Sequence, residues 1–236
     1  MLKLIWEKKL LEAVKGQTIN LKFLNKLKVK VLFLILNIKF KYFNKINKTK
    51  ISEKFKVINK DPFIGTKRFF LSERECDHVK TLAITKLKRS VVISNNKNKL
   101  SSVRSSKSCY LDYRKDDITL NLVKRLSEIV GLNYESIPYI EVSRYRTGEF
   151  FAHHYDAFNN RYIFNKLENN KYKLIQRFLT AICYLNTTEE GGETSFPVLK
   201  KKIFPEIGKV LLFENTKNSS LIPNPKSFHS GDPVRK

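Results

Sequence analysis

With 236 residues, 42% of them hydrophobic and 12% aromatic, the chain holds enough apolar material for one substantial domain plus an extension, which excludes disorder throughout. The formal net charge of +24 is uneven, because residues 1–60 carry sixteen Lys against three Glu, net +13, and leave +11 for the rest. Such a field attracts anionic partners, yet Lys, Asn and Ile are abundant along the whole chain, so the charge reads as a Lys-rich solvated surface rather than as a nucleic-acid footprint.

Residues 1–60 are expected to form a basic extension, with a domain over residues 61–236. Leu2, Leu4, Ile5, Leu10, Leu11 and Val14 predict a short amphipathic helix at the start. The run Val31-Leu32-Phe33-Leu34-Ile35-Leu36-Asn37-Ile38 is the one membrane candidate. It falls short of the roughly 20 apolar residues that a bilayer requires, and no small-residue cleavage site follows it, so a cleavable signal is not expected. A degenerate or interfacial anchor is the alternative to packing on the domain. Cytoplasmic or endoplasmic-reticulum-associated placement is the matching expectation. Cys76, Cys109 and Cys183 are odd in number and widely spaced, which predicts buried thiols rather than a disulfide framework or a zinc site.

From Asp61-Pro62 onward the local signals sharpen. Ser72-Glu73-Arg74-Glu75 is a capping box and predicts a helix running to about Leu87. Polar residues from Ser94 to Ser108 predict a loop or irregular hairpin. Asp116 or Asp117 then caps a second helix with Ile118, Leu122, Leu126 and Ile129 on one stripe, and Gly131 ends it. Short strands follow over Tyr139–Tyr145, Phe150–His154, Arg177–Leu185, Thr194–Leu199, Lys209–Glu214 and Lys226–His229, separated by Gly, Pro and Asn turns. Helices first and many strands later read as α+β.

His154-Tyr155-Asp156 sets an imidazole and a carboxylate two residues apart, which on a strand means one shared face. His229 can supply a second imidazole from a distant strand. Two histidines and one carboxylate occupy one face of an octahedral Fe(II) and leave positions open for a chelating co-substrate and dioxygen. His153 is out of phase with that face, and His78 lies mid-helix, where it reads as a surface or packing residue.

The surrounding text is more specific than the trio. Tyr145-x-x-Gly148-Glu149-x-Phe151-x-x-His154-x-Asp156 is followed by Arg177-x-x-Thr180-x-x-x-Tyr184-Leu185-Asn186, by Gly191-Gly192-Glu193-Thr194-x-Phe196-Pro197 and by His229-Ser230-Gly231-x-Pro233-Val234. Phe70-Leu71-Ser72-x-x-Glu75-Cys76 and Val103-Arg104-x-Ser106 precede them. In this order and spacing they resemble the prolyl 4-hydroxylase family of Fe(II)- and 2-oxoglutarate-dependent dioxygenases, from about Pro62 to Lys236.

That resemblance implies a double-stranded β-helix, a jelly roll of eight strands with supporting helices. It implies His154, Asp156 and His229 as iron ligands, and Tyr145 and Thr194, with Thr180 as a further contributor, as contacts of the co-substrate's far carboxylate. Arg104, Ser106 and Arg177 match positions that line the peptide groove. Cofactors and co-substrates would be Fe(II), 2-oxoglutarate, O2 and ascorbate. The reaction would be 4-hydroxylation of a peptidyl proline in a proline-rich or collagen-like chain, with release of succinate and CO2. Asp156 argues for hydroxylation, since related halogen-transferring enzymes lack this carboxylate. Two departures stand out. Phe151 occupies a position that is commonly Tyr, and the family's Lys, ten residues after the second histidine, has no counterpart because seven residues follow His229. The sequence is therefore expected to stop short of that anchor, with Arg235 and Lys236 unable to reach the pocket. The competing readings are the same chemistry on another peptidyl residue or a small molecule, and a non-catalytic basic binding module.

Overall fold

The computed structural model describes residues 1–9, 48–94, 97–99, 102–137, 139–159, 175–217 and 220–236. Leu2–Lys9 is the first strand, β1. Helix α1 (Lys48–Lys54) leads into β2 (Lys56–Lys60) and β3 (Phe63–Lys67), and α2 spans Glu73–Ile84. β4 (Lys88–Arg89), the hairpin β5 (Val92–Ser94) and β6 (Lys97–Lys99), and β7 (Lys107–Leu111) lead to α3 (Asp117–Val130). The strands β8 (Ile140–Arg144), β9 (Phe151–His154), β10 (Ile175–Cys183), β11 (Thr194–Phe196), β12 (Lys201–Ile203), β13 (Val210–Glu214) and β14 (His229–Gly231) complete the order.

Both expected helices form where their caps place them. The Ser72 hydroxyl accepts from the Glu75 amide at 3.2 Å, and the Glu75 carboxylate accepts from the Ser72 amide at 2.8 Å, so two amides that the first turn leaves free are satisfied. Asp116 accepts from the Thr119 amide at 2.8 Å and also binds His78 Nε2 at 2.7 Å, which gives that histidine its structural role. Gly131 closes α3 at φ 72°, a left-handed conformation that a side chain would disfavour.

Eight strands in the order β2-β3-β13-β10-β1-β8-β7-β4 make one antiparallel sheet, and β12-β11-β14-β9 make a second. Strands β13, β10, β1 and β8 with the four of the smaller sheet give the eight-stranded jelly roll. The period-2 alternation divides the larger sheet's side chains between two cores. Leu179, Ala181, Cys183, Val210 and Leu212 face the helices and pack with Val79, Leu122 and Leu126. Ile182, Leu211 and Phe213 face the smaller sheet and pack with Phe196 and Ile203. All three cysteines are buried free thiols.

The amino-terminal segment departs from expectation. Residues 2–9 are a strand rather than a helix, and they lie inside the sheet, with Leu2 opposite Cys183 on one side and Val142 on the other. Leu2-Lys3-Leu4 alternates, so a strand buries both leucines in the helix-side core and turns Lys3 to the opposite face. The hydrogen-bonding edges of β8 and β10 would otherwise stand unpaired, and satisfying both outweighs the weak local helix pattern. Ile51 and Phe55 enter the same core, so the boundary expected at residue 60 does not separate an appendage from a domain. Residues 31–38 lie outside the described residues. Among the described ones no helix is long and apolar enough to cross a membrane.

One smaller expectation is corrected and another is met in part. Pro225–Ser227 is a 3-10 turn, as the proline and the Asn224 cap require, so the last strand begins at His229 instead of Lys226. The polar stretch from Ser94 to Ser108 contributes a hairpin and then β7, which pairs with β8.

Candidate metal centre

His154 and His229 face each other as partners in the β9–β14 pairing, with ring centroids 4.3 Å apart. Asp156 is not on the strand with His154. β9 ends at His154, and a bend carries the carboxylate back to it. The three candidate ligand atoms lie within 4.8 Å of one another. His154 Nε2 is 3.6 Å from Asp156 Oδ1, and His229 Nε2 is 3.7 Å from Asp156 Oδ2.

The hydrogen bonds on the far side of each ring fix what faces inward. His154 Nδ1 meets the Ala152 carbonyl at 2.9 Å, and His229 Nδ1 meets the Ser227 carbonyl at 2.8 Å. A carbonyl only accepts, so each Nδ1 carries the proton and each Nε2 presents a lone pair. Both Nε2 atoms are buried without a hydrogen-bond partner. Burial pushes the His229 pKa down to about 3 and lowers that of His154, which keeps both rings neutral. Burial alone would raise Asp156, but the Lys3 ammonium and the two imidazoles hold its carboxyl well below the usual carboxylate range. Two neutral imidazoles and one carboxylate, with buried lone pairs left over, are the donor set that a facial metal triad requires.

Around the trio lies a cavity of about 360 Å³, lined by Lys3, Tyr145, Tyr184, Thr194 and the two ligand histidines among others. Tyr184 and Thr194 share a hydrogen bond of 2.8 Å between their hydroxyls. Burial pushes the Tyr145 phenol up against the opposing charge of Arg104, so it stays protonated. Lys3, 7% exposed, donates to Asp156 Oδ1 at 2.5 Å. Sequence reasoning missed Lys3, and the Leu-Lys-Leu alternation of a strand was the signal that could have found it.

The other expected site residues fall elsewhere. Thr180 sits behind Asp156 and donates to its Oδ2 at 2.8 Å, away from the cavity wall. Arg104 and Ser106 are buried. The Arg104 guanidinium donates to Glu141 at 2.7 Å and to Ser143 at 2.8 Å and lies 4.7 Å from the Phe151 ring centroid. Phe151 stacks in turn on His154 at 3.6 Å, so Arg104 braces the ring of a candidate ligand. Arg177 packs over the Phe158 ring at 4.7 Å. His153 points outward and stacks on Phe228, as its phase on the strand requires. Arg235 and Lys236 pair with Glu190 and Glu189 on the surface and bring no charge to the cavity.

A jelly roll with a His-Asp-His trio at the mouth of its smaller sheet defines the class of 2-oxoglutarate- and Fe(II)-dependent oxygenases. Residues 140–236 match the 2OG-Fe(II) oxygenase superfamily. The chain is 31% identical over 204 residues to a probable prolyl 4-hydroxylase 4 and 30% identical over 204 residues to prolyl 4-hydroxylase 2, both of Arabidopsis thaliana. Each alignment covers 77% of this chain and 66% of the relative, so the chain spans just under two thirds of the length of these relatives. Among solved structures, the viral collagen prolyl hydroxylase of Paramecium Bursaria Chlorella virus-1, in its 2OG complex, aligns with TM-score 0.57 and 25% identity, over 76% of this chain and 92% of that one. A Trichoplax adhaerens prolyl hydroxylase in complex with a peptide fragment shares the fold, with TM-score 0.50 at 15% identity, over 90% of this chain and 89% of its own. Residues 140–236 thus belong to the 2OG-Fe(II) oxygenase superfamily, and the chain is similar to prolyl 4-hydroxylases over 77% of its length.

Proposed function

We propose that the chain hydroxylates a peptidyl proline at C4, consuming 2-oxoglutarate and O2 and releasing succinate and CO2, with ascorbate sustaining turnover. The observation that carries this reading is the convergence of two buried, unpartnered imidazole lone pairs on one carboxylate at the wall of a cavity. The names of the relatives, and the peptide bound to the Trichoplax protein, support the substrate class.

His154, Asp156 and His229 would hold Fe(II), whose chemistry when bound is activation of dioxygen at positions that the protein leaves open. Tyr145 and Thr194 offer hydroxyls to the far carboxylate of 2-oxoglutarate, and Lys3 offers the charge. Asp156 and a dicarboxylate bring three negative charges into a buried cavity, a divalent metal answers two, and the Lys3 ammonium answers the third. Its four-carbon stem lets it turn from Asp156 to a second carboxylate nearby. The aromatic and aliphatic walls exclude water, so the oxidising step is spent on the substrate C–H bond. An extended proline-rich chain needs little ordering before it docks.

The test supplies Fe(II), 2-oxoglutarate, ascorbate and a proline-rich peptide, then measures succinate and the mass of the peptide. Succinate together with one added oxygen on proline is expected. Succinate without hydroxyproline would move the activity to another substrate. No succinate, combined with salt-sensitive binding to polyanions, would favour the basic binding module.

A further inference from the structure

We infer that Asn215, acting through Thr180, is a positioning residue for the metal-ligating carboxylate of Asp156. The inference rests on the metal-site reading and adds to it two residues with no contact to metal or substrate. Thr180 Oγ1 donates to Asp156 Oδ2 at 2.8 Å, and Asn215 Nδ2 donates to Thr180 Oγ1 at 2.8 Å. Thr180 and Asn215 are both 0% exposed.

The direction of each bond follows from chemistry. Ionised Asp156 can only accept, so the single hydroxyl proton of Thr180 is committed to it, and Oγ1 must itself accept from an N–H. Asn215 can meet that need only with its NH2 group turned inward. Its Oδ1 is left buried with no hydrogen-bond partner. An orphaned buried acceptor is destabilising, so this orientation persists because of the bond to Thr180. The opposite amide orientation would set a carbonyl against Thr180 and compete with Asp156 for its one proton. The relay therefore runs one way, from amide to hydroxyl to carboxylate, and leaves Oδ2 with a fixed direction.

The backbone of the same residue reaches a second ligand. The Asn215 carbonyl accepts from the Asn224 amide at 2.9 Å, the Asn224 carbonyl takes the Ser227 hydroxyl proton at 2.7 Å with the Asn215 carbonyl farther off at 3.2 Å, and the Ser227 carbonyl accepts the His229 Nδ1 proton at 2.8 Å. Asn215 follows β13 directly, and its amide donates to the Phe178 carbonyl of β10 at 2.9 Å, so the relay is anchored in the rigid sheet. One residue thus orients Asp156 through its side chain and His229 through its main chain.

The test is titration of the metal-free full chain with Mn(II), read by electron paramagnetic resonance of the free ion. Thr180→Val is expected to raise the Mn(II) Kd about 10–100-fold, the usual effect of losing a partner of a metal ligand. Thr180→Ser, which keeps the donor, should stay within about threefold of the wild type. Asn215→Ala leaves Thr180 in place and gives an independent reading, with Kd rising about threefold or more. The double variant Thr180→Val with Asn215→Ala should be no worse than Thr180→Val alone, because both interrupt one chain. At saturating Mn(II), the calorimetric Kd for 2-oxoglutarate should be unchanged in Thr180→Val, which separates positioning from direct co-substrate contact. An Mn(II) Kd equal to wild type in both Thr180→Val and Asn215→Ala overturns the relay alone, as does loss of 2-oxoglutarate affinity without loss of metal affinity. A wild type with no Mn(II) affinity overturns the relay and the metal-site reading together.

Discussion

The two faces of the larger sheet do different work. Toward the helices it presents Leu2, Leu4, Leu179, Ala181, Val210 and Leu212, a nearly unbroken aliphatic layer whose residues touch nothing reactive. Toward the smaller sheet the same strands present Lys3, Thr180, Ile182 and Phe213, so charges and hydroxyls sit beside aromatic rings. Adjacent residues on one strand thus serve opposite ends. Stability is concentrated on the aliphatic face, and chemistry on the face where two imidazole nitrogens are buried without hydrogen-bond partners.

The sharpest way to break this division is His154→Ala. Turnover should fall about a thousandfold or more, equivalent to about 4 kcal/mol of barrier, while circular dichroism and the thermal midpoint stay close to wild type. Leu122→Ala on the helix face should do the reverse. Denaturant unfolding should show a loss of about 2–5 kcal/mol, with turnover per folded molecule nearly unchanged. Lys3→Met tests whether the first strand serves both faces. The KM for 2-oxoglutarate should rise about 10–100-fold, as expected on losing a charge-assisted contact of about 1.5–3 kcal/mol, and Lys3→Arg should recover part of it.

A smaller effect comes with acid. The folded pKa of His229 lies at about 3, below its ordinary 6.5, so the unfolded chain binds more protons between those values. The stability that its neutral ring contributes is full above pH 6.5 and is lost as pH falls toward 3. The thermal midpoint of metal-free protein should therefore decline from pH 7 to 4.5. Ser72→Ala, a cap remote from the cavity, should cost about 0.5–2 kcal/mol in stability with no change in KM.

Local chemistry made much of the molecule legible in the sequence. A capping box has one physical solution, so α2 could be read from Ser72 and Glu75, and α3 from Asp116 and Gly131. The candidate metal trio was legible through its spacing and surroundings, although Asp156 arrives by a bend and not by the pleat of a strand. Partners set by distant chain were not legible. Arg104, in a polar stretch, reads as a solvated or groove residue until Glu141 and Ser143 close around it. Thr180 reads as a co-substrate contact until Asp156 and Asn215 are seen on either side of its hydroxyl. The strand at Leu2–Lys9 is the largest miss, because its slot between β8 and β10 exists only once residues 140–183 have folded.

That slot orders events in time. During synthesis the residues that fill it leave the ribosome well before their partners near Cys183, which lie about 180 residues farther along the chain. At about 5–20 residues per second, the gap is on the order of ten seconds or more. Barrel closure is thus a late, long-range step with a high contact order, and it is set to be slow compared with the formation of the two capped helices.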